Sequence, residues 1–208
     1  MKILPESEAA EEAAAHILLD GRKGGVILAP TETVYGLICA YDDGEARKRI
    51  YSLKHRPAEK RLAAFLPDLS FVARFAPPPA GAALRIARHF MPGPITLILP
   101  DGNGSTFGFR IPDHPFILSL LNRVRIPLAS TSANLSGAPA ALDVPGALAS
   151  LDGEPDLAVD GGAIPFGSLA STVIRAEPDG SWQILRPGPV SEEMLRSVLD
   201  KTEENTES

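Results

Sequence analysis

The sequence is short of several residues that would place a protein quickly. It has one cysteine, Cys39, in 208 residues, which excludes an intrachain disulfide and any multi-cysteine zinc site. Four histidines at positions 16, 55, 89 and 114 are too scattered to suggest a metal centre, so the metal ligands stay unassigned. One tryptophan and three tyrosines offer little surface for stacking bases. No apolar run approaches the ~18 residues of a membrane helix, and residues 1–25 lack a basic-then-apolar leader pattern. A cytoplasmic protein without a membrane partner is expected. Familiar catalytic signatures are missing as well. There is no G-x-x-x-x-G-K-[ST], G-x-S-x-G or H-E-x-x-H, and the glycines of 102–108 are wrongly spaced for a dinucleotide fingerprint. Cys39 reads as a small core residue rather than a nucleophile.

Proline is in excess, with 20 residues, roughly twice the usual ~5%, so elements should be short and sharply ended. At this length a chain buries roughly 70% of its unfolded surface, enough for one ordinary globular domain. A net charge of −6 argues against general nucleic-acid binding, which needs a basic face, but leaves room for a local anion site.

Ser7 is placed to cap a first helix that Gly21 would stop. Val26–Ala29 reads as a buried strand, and it enters a proline- and threonine-rich segment, Pro30 to Leu37, unsuited to a helix interior. A helix is expected from Asp42 or Asp43 to Lys54, ended by Arg56-Pro57. Strands are expected at Leu62–Leu66, Ile95–Leu99, Thr106–Ile111, Ile126–Ser130, Leu157–Val159, Thr172–Arg175 and Trp182–Leu185. Helices are expected at Leu69–Phe75, through Leu84–Phe90, from Asp113 to Leu121, after Asp143 and after Ser191. Asp101-Gly102-Asn103-Gly104 suits a hairpin turn between antiparallel strands. This alternation, with its hairpin, implies a mixed sheet covered by helices in a single α/β domain over residues 1–199, followed by a disordered acidic tail at 200–208.

Seven of the 20 lysines and arginines lie between positions 47 and 61. Arg47 to Arg49 suit a helix end complementing its dipole, whereas Lys54 and Arg56 sit at a rigid helix exit from which they could meet phosphate. Thr131 to Gly137 follows an apolar run, so its hydroxyls and amide should emerge at a strand's carboxyl end, where ligands gather in open α/β sheets; a self-bonded turn is the other reading. Thr31, Glu32, Thr33 and Tyr35 face the same choice. Arg110, in the apolar strand Phe107–Ile111, must either snorkel from an edge strand or meet an anion, and Arg186 before Pro187-Gly188 is similar. Cations, hydroxyls and an amide without a nucleophile suit a pocket that binds a polyphosphate and a zwitterion and holds them in line.

Seven ordered segments closely resemble the YrdC-like threonylcarbamoyl-AMP synthases. They are Pro30-Thr31-Glu32-Thr33-Val34-Tyr35-Gly36-Leu37, Lys54-His55-Arg56-Pro57, Pro92-Gly93-Pro94-Ile95-Thr96, Arg110-Ile111-Pro112-Asp113-His114-Pro115, Ser132-Ala133-Asn134-Leu135-Ser136-Gly137, Ser171-Thr172-Val173 and Leu185-Arg186-Pro187-Gly188. The resemblance spans about residues 10–190 and implies a twisted mixed sheet around a large concave pocket. It implies an enzyme joining L-threonine, bicarbonate or CO2, and ATP into threonylcarbamoyl-AMP and pyrophosphate, for threonylcarbamoyladenosine modification of tRNA. By similarity Lys54, Arg56, Ser132 and Asn134 form a signature catalytic tetrad. Thr33, Arg110 and Ser171 look like threonine-binding positions, and Lys54, Arg56, Lys60, Thr106, Asn134 and Arg186 like nucleotide contacts. Lys60-Arg61-Leu62 replaces a more usual Asn-Pro-Leu, and Met91 a frequent tryptophan. Magnesium would arrive with ATP. The short form implies separate proteins that transfer the group to tRNA, with at most a weak direct tRNA contact. The alternatives are an RNA-binding module of the same fold and a carbamoyltransferase-related domain.

Overall fold

The computed structural model describes residues 1–19 and 23–200. Along the chain run β1 (Lys2–Pro5), α1 (Glu8–Leu19), β2 (Ile27–Ala29), β3 (Gly36–Ala40), α2 (Gly44–Leu53), β4 (Ala63–Phe65), a 3-10 helix (Leu69–Arg74), α3 (Gly81–Phe90) and β5 (Ile95–Pro100). Then come β6 (Thr106–Arg110), α4 (Pro115–Val124), β7 (Leu128–Ser132), α5 (Val144–Ala149), β8 (Leu157–Asp160), β9 (Thr172–Ala176), β10 (Trp182–Arg186) and α6 (Glu192–Asp200). The ten described strands form one mixed sheet in the order β1-β8-β2-β3-β7-β4-β6-β5-β9-β10. The expected hairpin is present, β5 and β6 pairing antiparallel with Leu97 opposite Phe109.

Strands buried on both faces read as continuous apolar runs. In β2, Ile27 and Ala29 pack toward the cluster that holds α1 and α4, while Leu28 packs with α2 and α5. Further along the sheet only one face meets helices. Leu97, Leu99, Phe107 and Phe109 pack with Ile86 of α3 and Leu195 of α6, and the opposite face of β5 and β6 remains open.

Several expected element ends hold for the expected reason. The Ser7 hydroxyl accepts from Ala10 N–H at 3.3 Å, Asp43 caps α2 through Glu45 and Ala46 N–H, and Ser191 accepts from Met194 N–H at 3.2 Å. Other expectations need correction. β1 was not anticipated, being a short exposed edge strand ending in proline. Nor was β3, because its apolar run follows directly on the threonine-rich segment. Asp113 does not cap α4: Pro115 takes the first helical position, His114 stands at the N-cap without a side-chain bond, and the Asp113 N–H goes to Glu32 Oε1 at 2.8 Å. Gly21 and the acidic tail from residue 201 lie outside the described residues. No described helix is long and apolar enough to cross a membrane.

Candidate functional site

The open face of the sheet floors a cavity of about 290 Å³. Its lining follows the two-residue period of strands: Thr106, Gly108 and Arg110 of β6, Thr96 and Ile98 of β5, Ala63 and Phe65 around β4, and Ser130 and Ser132 of β7. The alternate residues Phe107 and Phe109 lie in the core behind. Gly108 keeps the middle of the floor clear, since a Cβ there would meet only Ile98 Cγ1, at 3.5 Å. The sequence offered one signal for it, its place on the same face as Thr106 and Arg110.

Loops supply the walls. Thr31 folds its segment back, its hydroxyl donating to Val34 O at 2.7 Å and accepting from Thr33 and Val34 N–H. Ser171 is pinned from behind by Gly188, where a Cβ would stand 2.4 Å from Thr172 N and 2.5 Å from Ala170 O. Glycine is required there, and the Arg186-Pro187-Gly188 turn can therefore lie against the start of β9. Ser171 Oγ is 2.9 Å from Thr96 Oγ1.

Arg56, Arg61, Arg110 and Arg186 all line this cavity, and no carboxylate does. Arg110 is 5% exposed. β6 lies inside the sheet, so its charge is no edge-strand device; the side chain meets an anion instead. Nη2 is 2.7 Å from Glu32 Oε1, Nε donates to Gly93 O at 3.0 Å, and both terminal nitrogens reach Thr33 Oγ1 at 3.1 and 3.2 Å. A fork suited to two oxygens is thus closed on one hydroxyl. Burial lowers its pKa and Glu32 opposes that shift. Arg186 donates to Ser171 O and Oγ. Its pKa falls through burial and then through the charges of Arg110 and Arg56. Arg56 donates to backbone, Nε to Lys60 O at 2.8 Å and Nη2 to Arg61 O at 2.9 Å, and also meets the Tyr51 side chain. Four guanidinium groups around a cavity whose lining holds no carboxylate make a surface that favours anions.

The signature tetrad divides. Arg56 and Ser132 line the cavity; Lys54 and Asn134 do not. Lys54 is 1% exposed, and its Nζ donates to Ser132 O and Asn134 O, each at 2.5 Å, while Ser136 N–H donates to Lys54 O. The Asn134 amide donates to Leu135 O and Ala138 O, and its buried Oδ1 has no partner. The lysine therefore ties the end of α2 to the Ser132–Asn134 turn from behind. Burial first, and Arg56 second, push its pKa down to about 8.

Of the remaining expected positions, Thr33, Thr106 and Ser171 line the cavity and Lys60 does not. Lys60 is exposed, its carbonyl held by Arg56 and Tyr51. Its neighbour Arg61, which sequence reasoning passed over, enters the cavity instead, Nη1 donating to Thr106 O at 2.9 Å. Cys39 is fully buried and its thiol is raised to about 12 by burial and Asp43, as befits a core residue. Among the described residues no group of three acids, histidines or cysteines is placed to hold a metal, so a magnesium ion would have to be held mainly by a nucleotide's phosphates and water.

The Sua5/YciO/YrdC family model, described as telomere recombination, matches residues 21–188. The chain is 35% identical over 188 residues to the threonylcarbamoyl-AMP synthase of Bacillus subtilis, covering 86% of this chain and 54% of that protein. It is 35% identical over 198 residues to the human threonylcarbamoyl-AMP synthase, covering 88% and 70%. A crystal structure of Pyrococcus abyssi Sua5 complexed with L-threonine superposes with a TM-score of 0.83 at 29% identity, covering 95% of this chain and 59% of that one. The chain thus spans little more than half the length of the Bacillus and Pyrococcus proteins.

Proposed function

The chain belongs to the Sua5/YciO/YrdC family, and from that premise we propose that it joins L-threonine, bicarbonate or CO2, and ATP into threonylcarbamoyl-AMP and pyrophosphate, in the cytoplasm, for transfer to tRNA by separate proteins. The observation that carries this reading is the convergence of Arg56, Arg61, Arg110 and Arg186 on a cavity lined by hydroxyls and free of carboxylates. Such a site favours a ligand with several separated anionic groups.

In this reading the amino acid's carboxylate takes over the Arg110 fork from the Thr33 hydroxyl, with two oxygens where the hydroxyl has one. Ser171, already held by Thr96 and Arg186, fixes the adjoining polar groups. The amine nitrogen bonds the carbon of CO2 and loses a proton, leaving a carbamate; bicarbonate would release water in the same step. A carbamate oxygen then attacks the α-phosphorus. The bond from that phosphorus to the bridging oxygen breaks, and its electron pair leaves with pyrophosphate. Arg56 and Arg186 offset charge on the phosphates, and Ser132 offers a hydroxyl beside them. Lys54 and Asn134 act from behind by fixing the turn that carries Ser132. Catalysis is by placement and charge compensation, which needs no nucleophile. Magnesium bound through the phosphates would offset further charge.

The test is incubation of the protein with ATP, magnesium, bicarbonate and L-threonine. Chromatography with mass spectrometry should find threonylcarbamoyl-AMP together with threonine-dependent pyrophosphate. A folded sample that yields neither, beside an active control enzyme, overturns the reading.

A further inference from the structure

We propose that Arg61 is the terminal anion contact of the cavity, holding the outer phosphates of the nucleotide and hence the departing pyrophosphate. The proposal rests on the function given above and adds a residue and a direction to it. Arg110 and Thr106 stand at opposite ends of β6 and both face the cavity. Four residue steps along the strand separate them by roughly 13 Å. Arg61 is fastened at the Thr106 end by one hydrogen bond from Nη1, which leaves most of its donors uncommitted among the described residues. Its backbone is set by Arg56, whose Nη2 donates to Arg61 O, so two guanidinium groups share this end. The acid that feels Arg61, Asp101, turns its carboxylate onto Asn103 and Ser105 N–H at 2.8 and 2.9 Å, and lies outside the lining.

The reactants supply a matching length. From the carboxylate carbon on Arg110, through the amino-acid nitrogen and the carbamate to the α-, β- and γ-phosphorus, there are nine bonds. An extended chain advances about 1.2 Å per bond, so the outermost phosphorus lies about 11 Å from the carboxylate. That distance brings the most highly charged part of the ligand to the end held by Arg56 and Arg61. Lys60, adjacent in sequence, lies outside the cavity and is not the contact.

Calorimetric titration separates this from the parent reading, because it needs no turnover. The titrants are sodium pyrophosphate, AMP and L-threonine, each added alone to wild type, Arg61→Ala, Arg61→Lys and Arg88→Ala, the last removing an exposed arginine of α3 remote from the cavity lining. Arg61→Ala should weaken pyrophosphate about tenfold, as loss of a charged hydrogen bond does, and leave AMP and threonine unmoved. Arg61→Lys should recover part of the loss, and Arg88→Ala should bind as wild type. Melting curves establish that each variant is folded. Pyrophosphate affinity that is unchanged in Arg61→Ala, or no pyrophosphate binding by wild type, overturns the proposal. So does an equal loss for AMP, which would place Arg61 on the α-phosphate or ribose. Failure of wild type to make threonylcarbamoyl-AMP while Arg61 still governs pyrophosphate binding would instead sink the parent reading alone.

Discussion

Arg110 and Arg186 look alike in sequence, each a single cation near the end of a short apolar strand, yet they sit in opposite physical situations. Arg110 lies on an interior strand, buried, with every nitrogen engaged and a carboxylate against it. Arg186 closes the edge strand β10, and its bonds go to Ser171 oxygens. The two arginines share one end of the cavity, through Ser171 and Thr96, yet differ accordingly. Arg110 is a preset clamp whose charge Glu32 balances before any ligand arrives; Arg186 is a rim cation held on hydroxyl and carbonyl oxygens and repelled by Arg110 and Arg56. A buried pair is costly to break because the survivor is stranded, whereas a partly exposed cation is screened by water and salt.

The comparison is broken most directly by removing each arginine in turn. Arg110→Ala strands Glu32, of whose side chain 17% is exposed, and should cost about 3 kcal/mol of stability or more by chemical denaturation, with threonine-dependent pyrophosphate release falling to background. Arg186→Ala should cost about 1 kcal/mol and mainly weaken ATP binding. Equal losses of stability would mean that burial does not distinguish the two arginines.

The floor between Arg110 and Thr106 is tested by Gly108→Val. The strand accepts a β-branched residue, and the new Cβ meets only Ile98 Cγ1. The added methyls project into the cavity. Threonine and ATP affinities should both fall about 100-fold, roughly 2.7 kcal/mol, while the melting temperature moves by no more than about 4 °C. A variant that binds normally would show that ligands do not lie on this floor.

Lys54 tests the wall through pH. Its folded-state pKa of about 8 lies below the ordinary 10.5, so between those values the unfolded chain holds more protons and stability rises with pH. Relative to Lys54→Met, wild type should gain on the order of 2 kcal/mol from pH 7 to pH 10, measured by urea denaturation across that range. A parallel pH profile in the variant would mean that the buried ammonium is not the titrating group.

Much of this was legible beforehand, and the limits have physical causes. Strand alternation and ordered motifs located the sheet, the cavity and seven of its lining residues, because a period-two strand determines which side chains share a face. They did not separate Arg56 and Ser132, which face the cavity, from Lys54 and Asn134, which brace it, since a cation on carbonyls and a cation on phosphate draw on the same side chain. They also pointed to Lys60, whereas Arg61 is the one of the two that lines the cavity. That segment is irregular and has no period to orient successive residues. Asp113 is not a cap because Pro115 takes the first helical position and moves the N-cap to His114, while the partner of the Asp113 N–H, Glu32, is 81 residues away and invisible to local pattern.

The smallest expected effect sharpens the comparison most finely. Glu32→Gln keeps an oxygen to accept from Arg110 and Asp113 while removing the charge that balances Arg110. Arg110 then resembles Arg186, a cation with no carboxylate against it. The unliganded protein should lose roughly 1–2 kcal/mol. Bound threonine would supply the missing carboxylate, so the loss should be smaller in the complex, and threonine should bind about threefold to tenfold tighter than to wild type. The readout is the threonine-induced rise in melting temperature, larger in the variant than in wild type. Weaker threonine binding would instead show that Glu32 serves by aiming the guanidinium, with charge balance secondary, and the preset character of Arg110 would then be geometric.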